Sequence, residues 1–436
     1  MGGVNYDLSN ATNTNNFSIY SSVQYTNRDS YYGGLGGGRT AQDSLTALNA
    51  YGTTKDLALA NGFQFTRQFK RDILTTGIEH NISTTEDVIP GYIRLIDQNV
   101  NATGLYAQYE WKPNKKFSAL IGSRLDYINV DGTYSVDNIE REVDLSQATI
   151  NPRLTLAYEI AEDLKFRGGY ARGFRAPQAF NEDLHISSVG GEPQFVILSN
   201  DLEAEFSNAF TGSFNYTKTF NLTQTNALLE GFYTTLENPF TLVSTGVQFS
   251  NGSILEEVRN GEGARGYGVN FEFGVSPSKK WLFQVGGTLQ RSEYNNPQIL
   301  FEADGTNPLE NDILISEFVR NPNFYGYLNS NWTPNDTYSI SVTGIYTGKM
   351  TVPLVVSDSG FLSLNESPSF FDFNINAEAH FDLSEDFQII LNTGIKNVFN
   401  SFQSDFDSGA TRDSDYVYGP AFPRTLFFGI KIGKLH

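Results

Sequence analysis

Hydrophobic and polar residues alternate along most of this chain. Phe371, Phe373, Ile375, Ala377, Ala379 and Phe381 alternate with Asp372, Asn374, Asn376, Glu378 and His380. Leu426, Phe428, Ile430 and Ile432 share one face, with Phe427, Gly429 and Lys431 opposite. Leu105, Ala107, Tyr109 and Trp111 likewise oppose Tyr106, Gln108 and Glu110. A period of two is that of a strand with one apolar face. With the turn residues it predicts hairpins at about 3–10 with 16–28, 57–68 with 71–84, 102–112 with 116–130 and 146–160 with 163–174. Further hairpins fall at about 203–218 with 223–242, 262–276 with 280–294, 321–333 with 337–350 and 369–382 with 386–400, before a last strand at 424–434. That makes about 17 strands, most of roughly 10 to 14 residues, against the 5–6 usual in soluble sheets.

The connections alternate in length. Short turns such as Pro113-Asn114-Lys115 and Pro334-Asn335 close each hairpin. Long polar loops rich in Gly and Asp separate the hairpins, at about 29–56, 85–101, 131–145, 175–202, 243–261, 295–320, 351–368 and 401–423. Short turns at one end and long loops at the other are the asymmetry of outer-membrane barrels. The apolar faces carry no charge over a span long enough for a membrane, as expected where a lipid-facing Arg or Lys costs about 2–4 kcal/mol. Aromatics cluster near strand ends (Trp111, Tyr127, Phe220, Trp281, Trp332 and Phe381), where membrane interfaces place them.

Composition agrees. Aromatics are 14 % of the 436 residues and charged residues only 18 %, with 34 Phe and 40 Gly. No apolar run approaches the roughly 18 residues of a membrane helix, which leaves a strand-built span. The net charge of −19 argues against nucleic acid as a partner. The absence of Cys removes disulfides, thiol catalysis and Cys-based zinc sites. Met1-Gly-Gly-Val-Asn-Tyr-Asp7 has neither the basic nor the apolar region of a signal peptide, so a trimmed precursor or a partial chain is expected. The fold predicted is all-β: one transmembrane antiparallel β-barrel domain over residues 1–436.

Candidate chemistry is sparse. Gly261-x-Gly263-x-x-Gly266 spells a dinucleotide fingerprint, but Tyr267-Gly-Val-Asn-Phe-Glu-Phe273 continues as strand, so the glycines read as barrel positions. Asp405, Asp407, Asp413 and Asp415 have a spacing that could hold Ca²⁺, but they lack an EF-hand pattern and read as a solvated loop. The four His are scattered and no Ser-His-Asp set is identifiable, so no catalytic residue, cofactor or metal site is assigned.

Tyr170-Ala-Arg-Gly-Phe-Arg-Ala-Pro177 resembles the "Y-x-x-G/S-F-R-A-P" segment of TonB-dependent outer-membrane receptors. Asn200-Asp-Leu-Glu-Ala-Glu205 is similar to that family's "N-x-x-L-x-x-E". Residues Asn260 to Asn270 are similar to its "N-x-G-x-A-x-x-x-G-V-E" strand, with Asn270 for the acid. Ile395-Lys-Asn-Val-Phe-Asn400 is similar to its penultimate strand, and the cluster around Glu182–His185 and Gly190–Glu192 looks like Bacteroidetes-type members. The resemblance implies a barrel of about 22 strands filled by an N-terminal plug, in the outer membrane of a Gram-negative bacterium. The chain would then lack about five strands, the plug and the TonB-contacting box.

The resemblance also implies partners and a function: outer-membrane lipid, a TonB complex acting through the absent plug, and uptake of a scarce large solute of the siderophore, haem, cobalamin or glycan class. Gly173, Phe174, Arg175, Ala176, Pro177, Asn397 and Phe399 are its motif positions. Ligand contacts are expected from the long loops, at Tyr31, Tyr32, Arg39, Arg175 and His185. For Arg167, Arg172 and Arg175, pairing with acids of the lumen is the more ordinary expectation. A diffusion porin of 16 or 18 strands and, less favoured, a barrel enzyme are the alternatives. Sequence upstream of Met1 would discriminate porin from receptor.

Overall fold

The computed structural model describes the chain apart from residues 32–40, 42–44, 46–47, 178–187, 190–191, 250–253, 302–311, 357–360, 385–386, 409–411, 414–415 and 435–436. The strands run β1 (Gly2–Ser9), β2 (Asn15–Tyr31), β3 (Tyr51–Gln68), β4 (Ile73–Ile89), β5 (Arg94–Trp111), β6 (Phe117–Val136), β7 (Ile139–Ala161) and β8 (Leu164–Arg175). They continue as β9 (Ser188–Val189), β10 (Glu192–Leu198), β11 (Glu205–Phe220), β12 (Thr223–Glu237), β13 (Phe240–Gln248), β14 (Ile254–Asn260), β15 (Ala264–Ser278) and β16 (Trp281–Phe301). The last are β17 (Ile313–Glu317), β18 (Phe324–Trp332), β19 (Tyr338–Thr347), β20 (Thr351–Val356), β21 (Phe361–Glu366), β22 (Phe370–Asp382), β23 (Phe387–Lys396) and β24 (Thr425–Lys434).

Eighteen of these strands form one sheet, β9, β10, β13 and β14 a second, and β20 and β21 a hairpin. β17 pairs with the Phe301 end of β16 and β18 with its Trp281 end, so these two share one place and the 18 strands fill 17 positions in the wall. The count matches the one expected from alternation. Among the described residues no ladder joins β1 to β24.

Register makes the two faces explicit. One outward row runs Tyr6, Ile19, Phe63, Ile78, Leu105, Leu125, Ile150 across seven strands, each the direct partner of the next. All seven side chains are exposed, from 37 % at Phe63 to 60 % at Tyr6, a surface that only lipid would cover without cost. On β2–β6 the outward face first meets charge at Arg67, stacked over Phe69, below, and at Asp131 of β6 and then the Lys55–Glu86 pair above. Aromatic contacts mark the short-turn boundary: Trp281 stacks on Trp332 at 5.4 Å, and Trp111 meets Phe117 edge-on at 6.0 Å.

One residue along, the inward row reads Tyr20, Gly62, Glu79, Gly104, Asp126, Thr149. The glycines leave room for long side chains to cross them. A Cβ on Gly62 would collide with the Tyr20 ring, and one on Gly104 with the Arg124 guanidinium. Tyr20 thereby donates to Glu79 at 2.5 Å, and Arg124 reaches both Glu79 and Asp126. Asn151 donates to Asp126 at 3.1 Å and extends the network onto β7.

The wall is uneven in height. β6 and β7 have 20 and 23 residues, whereas β18, β19 and β23 have 9, 10 and 10. The expected loops 85–101 and 131–145 are strand for nearly their whole length. Pro90–Tyr92 and Asp137 turn the tips, with Ile93 and Asp137 in the left-handed region at φ 50° and 54°. Polar alternation above the membrane reads as loop in sequence, yet the backbone ladder carries on.

The small sheet packs on the inward face of these tall strands. Phe195, Ile197 and Leu198 of β10 and Leu255 and Val258 of β14 are buried against Ile96, Val130, Tyr134 and Val143. Arg141 ties β7 to Glu257 of β14 at 3.1 Å. Beneath this cap, Asp87 is buried between Arg94 and Thr54, each 2.5 Å away. The cap lies in two stretches that the sequence pattern presents as polar loop. Within it Glu256 has a buried carboxylate oxygen without a hydrogen-bond partner, and burial pushes its pKa up to about 7.

Two predictions follow from this architecture. Gly104→Val displaces Arg124 and strands two carboxylates, so unfolding of the membrane-inserted protein in urea should show a loss of about 2–3 kcal/mol. Gly212→Val, where a Cβ meets nothing within 4 Å, is the control and should change little. Equal losses would mean that the network contributes nothing. The second concerns Glu256, whose carboxyl is favoured neutral in the fold. Protection of β10 and β14 amides from exchange should therefore be fullest at pH below the ordinary carboxyl value of 4.5, decline as pH rises towards 7, and stay low above it. Glu256→Gln should abolish that decline, which is worth up to about 3 kcal/mol. A decline unchanged in the variant would exclude Glu256 as its source.

Candidate ligand-binding mouth and inner wall

β8 is zipped to β7 only as far as the Ala171–Arg153 pair, although both strands continue beyond it. There they part. The gap holds a cavity of about 310 Å³ lined by Ile128, Val130, Phe174, Ala176, Pro177 and Leu202, with Gln147 and Glu203 as polar groups. Phe174 and Ala176 also pack against the cap core. Arg175 instead lies 3.5 Å from Glu205 and over the Phe240 ring at 4.6 Å. Gly173 sits opposite Ser207, whose hydroxyl is 3.0 Å from where a Cβ would stand. The Gly-Phe-Arg-Ala-Pro run therefore begins where β8 has parted from β7 but is still paired with β11, and Arg175 is held by β11 and β13.

The neighbouring motif residues clamp the same corner. Asn260 accepts from the Glu203 N–H at 2.8 Å and donates to the carbonyls of Glu203 and Asn238 at 2.9 and 3.0 Å. Leu202 is buried beside it. Gly263 has φ 111°, a conformation that side chains rarely adopt, and leads into β15. No helix follows it, so the fingerprint-like glycines form no dinucleotide turn.

At the other end of the chain, Asn397 is buried in the left-handed region at φ 49°. Its side chain accepts from the Ser401 N–H at 2.8 Å and donates to the Phe422 carbonyl at 2.9 Å, tying the last loop to the wall. Phe399 faces outward, stacked on Phe371 at 5.7 Å.

Within the last loop Asp405 accepts from Tyr418 at 2.6 Å, and burial and then this bond raise the Tyr418 pKa. Asp407 accepts from the Asp413 N–H at 2.7 Å. These two carboxylates are thus used in loop structure, and Asp415 lies outside the described residues. The described residues hold no group of three or more acids or histidines placed for a metal ion.

Of the expected loop contacts, Tyr31 ends β2 with its ring 4.8 Å from Tyr51, half exposed at the rim. Tyr32, Arg39 and His185 lie outside the described residues. Arg172 stacks over Phe206 at 4.2 Å, whereas the Arg167 side chain, on a residue laddered to Ala157 and Ser213, forms no ion pair or hydrogen bond with a described residue.

Below the mouth, the inner faces of β5–β8 and β11 carry two further hollows. One, of about 490 Å³, lies around Arg124, Asn151, Arg153 and Thr211. The other, of about 610 Å³, reaches the short turns around Lys112, Arg153 and Arg167. In the adjoining β3–β4 turn, the Lys112 N–H and the Tyr109 hydroxyl, each 2.7 Å from Asp72, hold its carboxyl below the usual carboxylate range. Sequence pattern placed these side chains on the inner face. It could not show that they form one column beneath the cap.

Comparison with known proteins fits this geometry. Among the solved structures that share the fold at low identity, three illustrate the likeness. The FrpB iron transporter of Neisseria meningitidis (F3-3 variant) is 15 % identical, with a TM-score of 0.69 over 99 % of this chain and 62 % of that one. The ferric-catecholate import receptor Fiu of E. coli K12 is 16 % identical, with a TM-score of 0.63 over 97 % and 61 %. The Serratia marcescens hemophore receptor HasR, solved with its hemophore HasA and heme, is 15 % identical, with a TM-score of 0.68 over 99 % and 65 %. The chain thus spans less than two thirds of their length. No curated protein sequence matches it. The profile of the TonB dependent receptor-like β-barrel matches residues 2–398, and the chain belongs to that family.

Proposed function

We propose that this chain is the wall and mouth of an outer-membrane receptor that takes up a scarce large solute, of the siderophore, haem, cobalamin or glycan class, by TonB-energised transport. The observation that carries this reading is the 17-position sheet with unjoined edges. In an antiparallel sheet with an odd number of positions the first and last strands run the same way, so they cannot close on each other antiparallel. A bacterial diffusion porin is a closed barrel of even strand number. About five more strands would bring this wall to the 22 of plugged transporters. We infer that the working protein supplies them, together with a plug through which TonB acts. The cap and its cavity support a binding mouth, and the iron and heme proteins of the same fold make iron chelates and haem the first solutes to test.

The test is uptake. The whole protein, expressed in a Gram-negative strain lacking its own receptors, is offered labelled ferric chelates, haem, cobalamin and oligosaccharides. Accumulation of one class, abolished by a protonophore or by deletion of tonB, is expected. Uptake that persists without TonB and falls smoothly with solute size would establish the porin instead.

A further inference from the structure

The lipid-facing side of β3 carries an amide at the middle of the bilayer. Asn61 lies six residues from Arg67 at the short-turn end and six from Lys55 at the other, the first outward charges on that strand. At about 3.3 Å per residue and a tilt of roughly 40°, the stretch between those charges rises about 30 Å, the thickness of the hydrocarbon core. Asn61 is exposed, with Phe63 and Leu59 on either side of it along the same face. Its ladder partners extend the polar spot: Ser21 on β2, His80 on β4 and then Thr103 on β5. The row below is Ile19, Phe63, Ile78 and Leu105, and the row above begins Val23, Leu59 and Ile82. β24 shows the lipid face without such a break, in Leu426, Phe428, Ile430 and Ile432.

Bonds within the row use only part of its capacity. The Ser21 hydroxyl donates to Asn61 Oδ1 at 2.7 Å, and His80 Nδ1 lies 2.9 Å from the Thr103 hydroxyl. The Asn61 amide nitrogen and His80 Nε2 make no hydrogen bond with a described residue. An unmet polar group in hydrocarbon is costly, and in membranes such groups join protein to protein. At this depth a lipid offers only chain ends, since its headgroup lies about 15 Å away. The partner must therefore carry a polar group of its own at mid-bilayer. A second copy related by a two-fold axis along the membrane normal meets that demand, because such an axis keeps every residue at its own depth. An amide both donates and accepts, so two Asn61 side chains bond reciprocally whichever way each is turned. We propose that two copies of this protein pair in the membrane through the outer faces of β2–β4, with Asn61 at the two-fold axis, Ser21 and His80 beside it, and Phe63 and Leu59 packed around it. The pairing rests on the lipid-facing wall and is independent of which solute the mouth takes.

The chain has no Cys, so one introduced thiol reports its own contacts. The whole protein carrying Asn61→Cys is oxidised with copper–phenanthroline in outer membranes. A disulfide-linked product of twice the mass is expected, at least tenfold more abundant than from Val269→Cys, which faces lipid on β15. A second measurement needs no thiol at residue 61: the protein bearing one dye is placed in lipid vesicles and counted by photobleaching. The wild type should bleach in two steps and Asn61→Leu in one, its pairing at least tenfold weaker, while both keep the heat-modifiable gel mobility of a folded barrel. One-step bleaching of the wild type, undiminished pairing in Asn61→Leu, or equal cross-linking from Val269→Cys would overturn the proposal. So would an Asn61→Cys product whose mass is not twice that of the protein, which would assign the polar row to a different membrane protein.

Discussion

Inside a bilayer no water is present to satisfy a peptide group, so each strand of this wall must give its N–H and C=O groups to its neighbours. That constraint fixes the rest. A continuous ladder forces alternate side chains to opposite faces, and a slip of one residue would turn a whole strand's apolar set inward. The row from Tyr6 to Ile150 is that lock seen from outside: seven strands, each presenting one exposed apolar side chain at the same level. The inward row beside it obeys the same register with opposite chemistry. Glycine at positions 62 and 104 lets Tyr20 and Arg124 cross to Glu79. A charged network then lines the lumen without any charge facing lipid at that level.

Above the membrane the constraint relaxes, and water-soluble physics takes over on the same strands. β4 to β7 continue as tall hairpins whose inward faces turn apolar, and two connections fold back to cover them. The cap core is an ordinary soluble core built on a membrane wall, with Phe195, Ile197 and Leu198 against Val130 and Tyr134. Its location follows from the inward apolar side chains that β5, β6 and β7 carry near their tips, Ile96, Val130, Tyr134 and Val143. The Phe174–Pro177 segment is the hinge between the two regimes, where β8 leaves β7 and the wall opens into a cavity.

Legibility in the sequence tracks these regimes. Where lipid faces one side, as at Phe371 to Phe381 or Leu426 to Ile432, the period of two is unmistakable and strand placement from sequence agrees with the structure to within a few residues. Where both faces meet water or protein, the signal fades. Residues 94–101 and 139–145 alternate amides, acids and branched apolar residues, and a ladder there looks like loop. Phe195 to Leu198 is an apolar run too short to show a period, and Leu255 and Val258 are split by two acids, so the cap was invisible. The motif residues were legible as a family pattern before their physics was. Asn397 needs a left-handed backbone and three hydrogen bonds to loop ends, and Asn260 needs two strand ends and a turn, which no local pattern displays.

The inner face carries the last distinction. Here the charge is sorted by depth. At mid-wall Arg124 is neutralised by two acids, and Asn151 completes their shell. Towards the short turns the Arg153, Arg167 and Lys165 side chains make no ion pair with a described residue, although Arg153 shares a hollow with Arg124 and Lys165 lies opposite Glu159. Mid-wall residues sit farthest from both membrane boundaries, where an unpaired charge costs most. At the turn end, with water at hand, unpaired cations cost little. Stability therefore sets the pairing at mid-wall and makes little demand on it at the turn end.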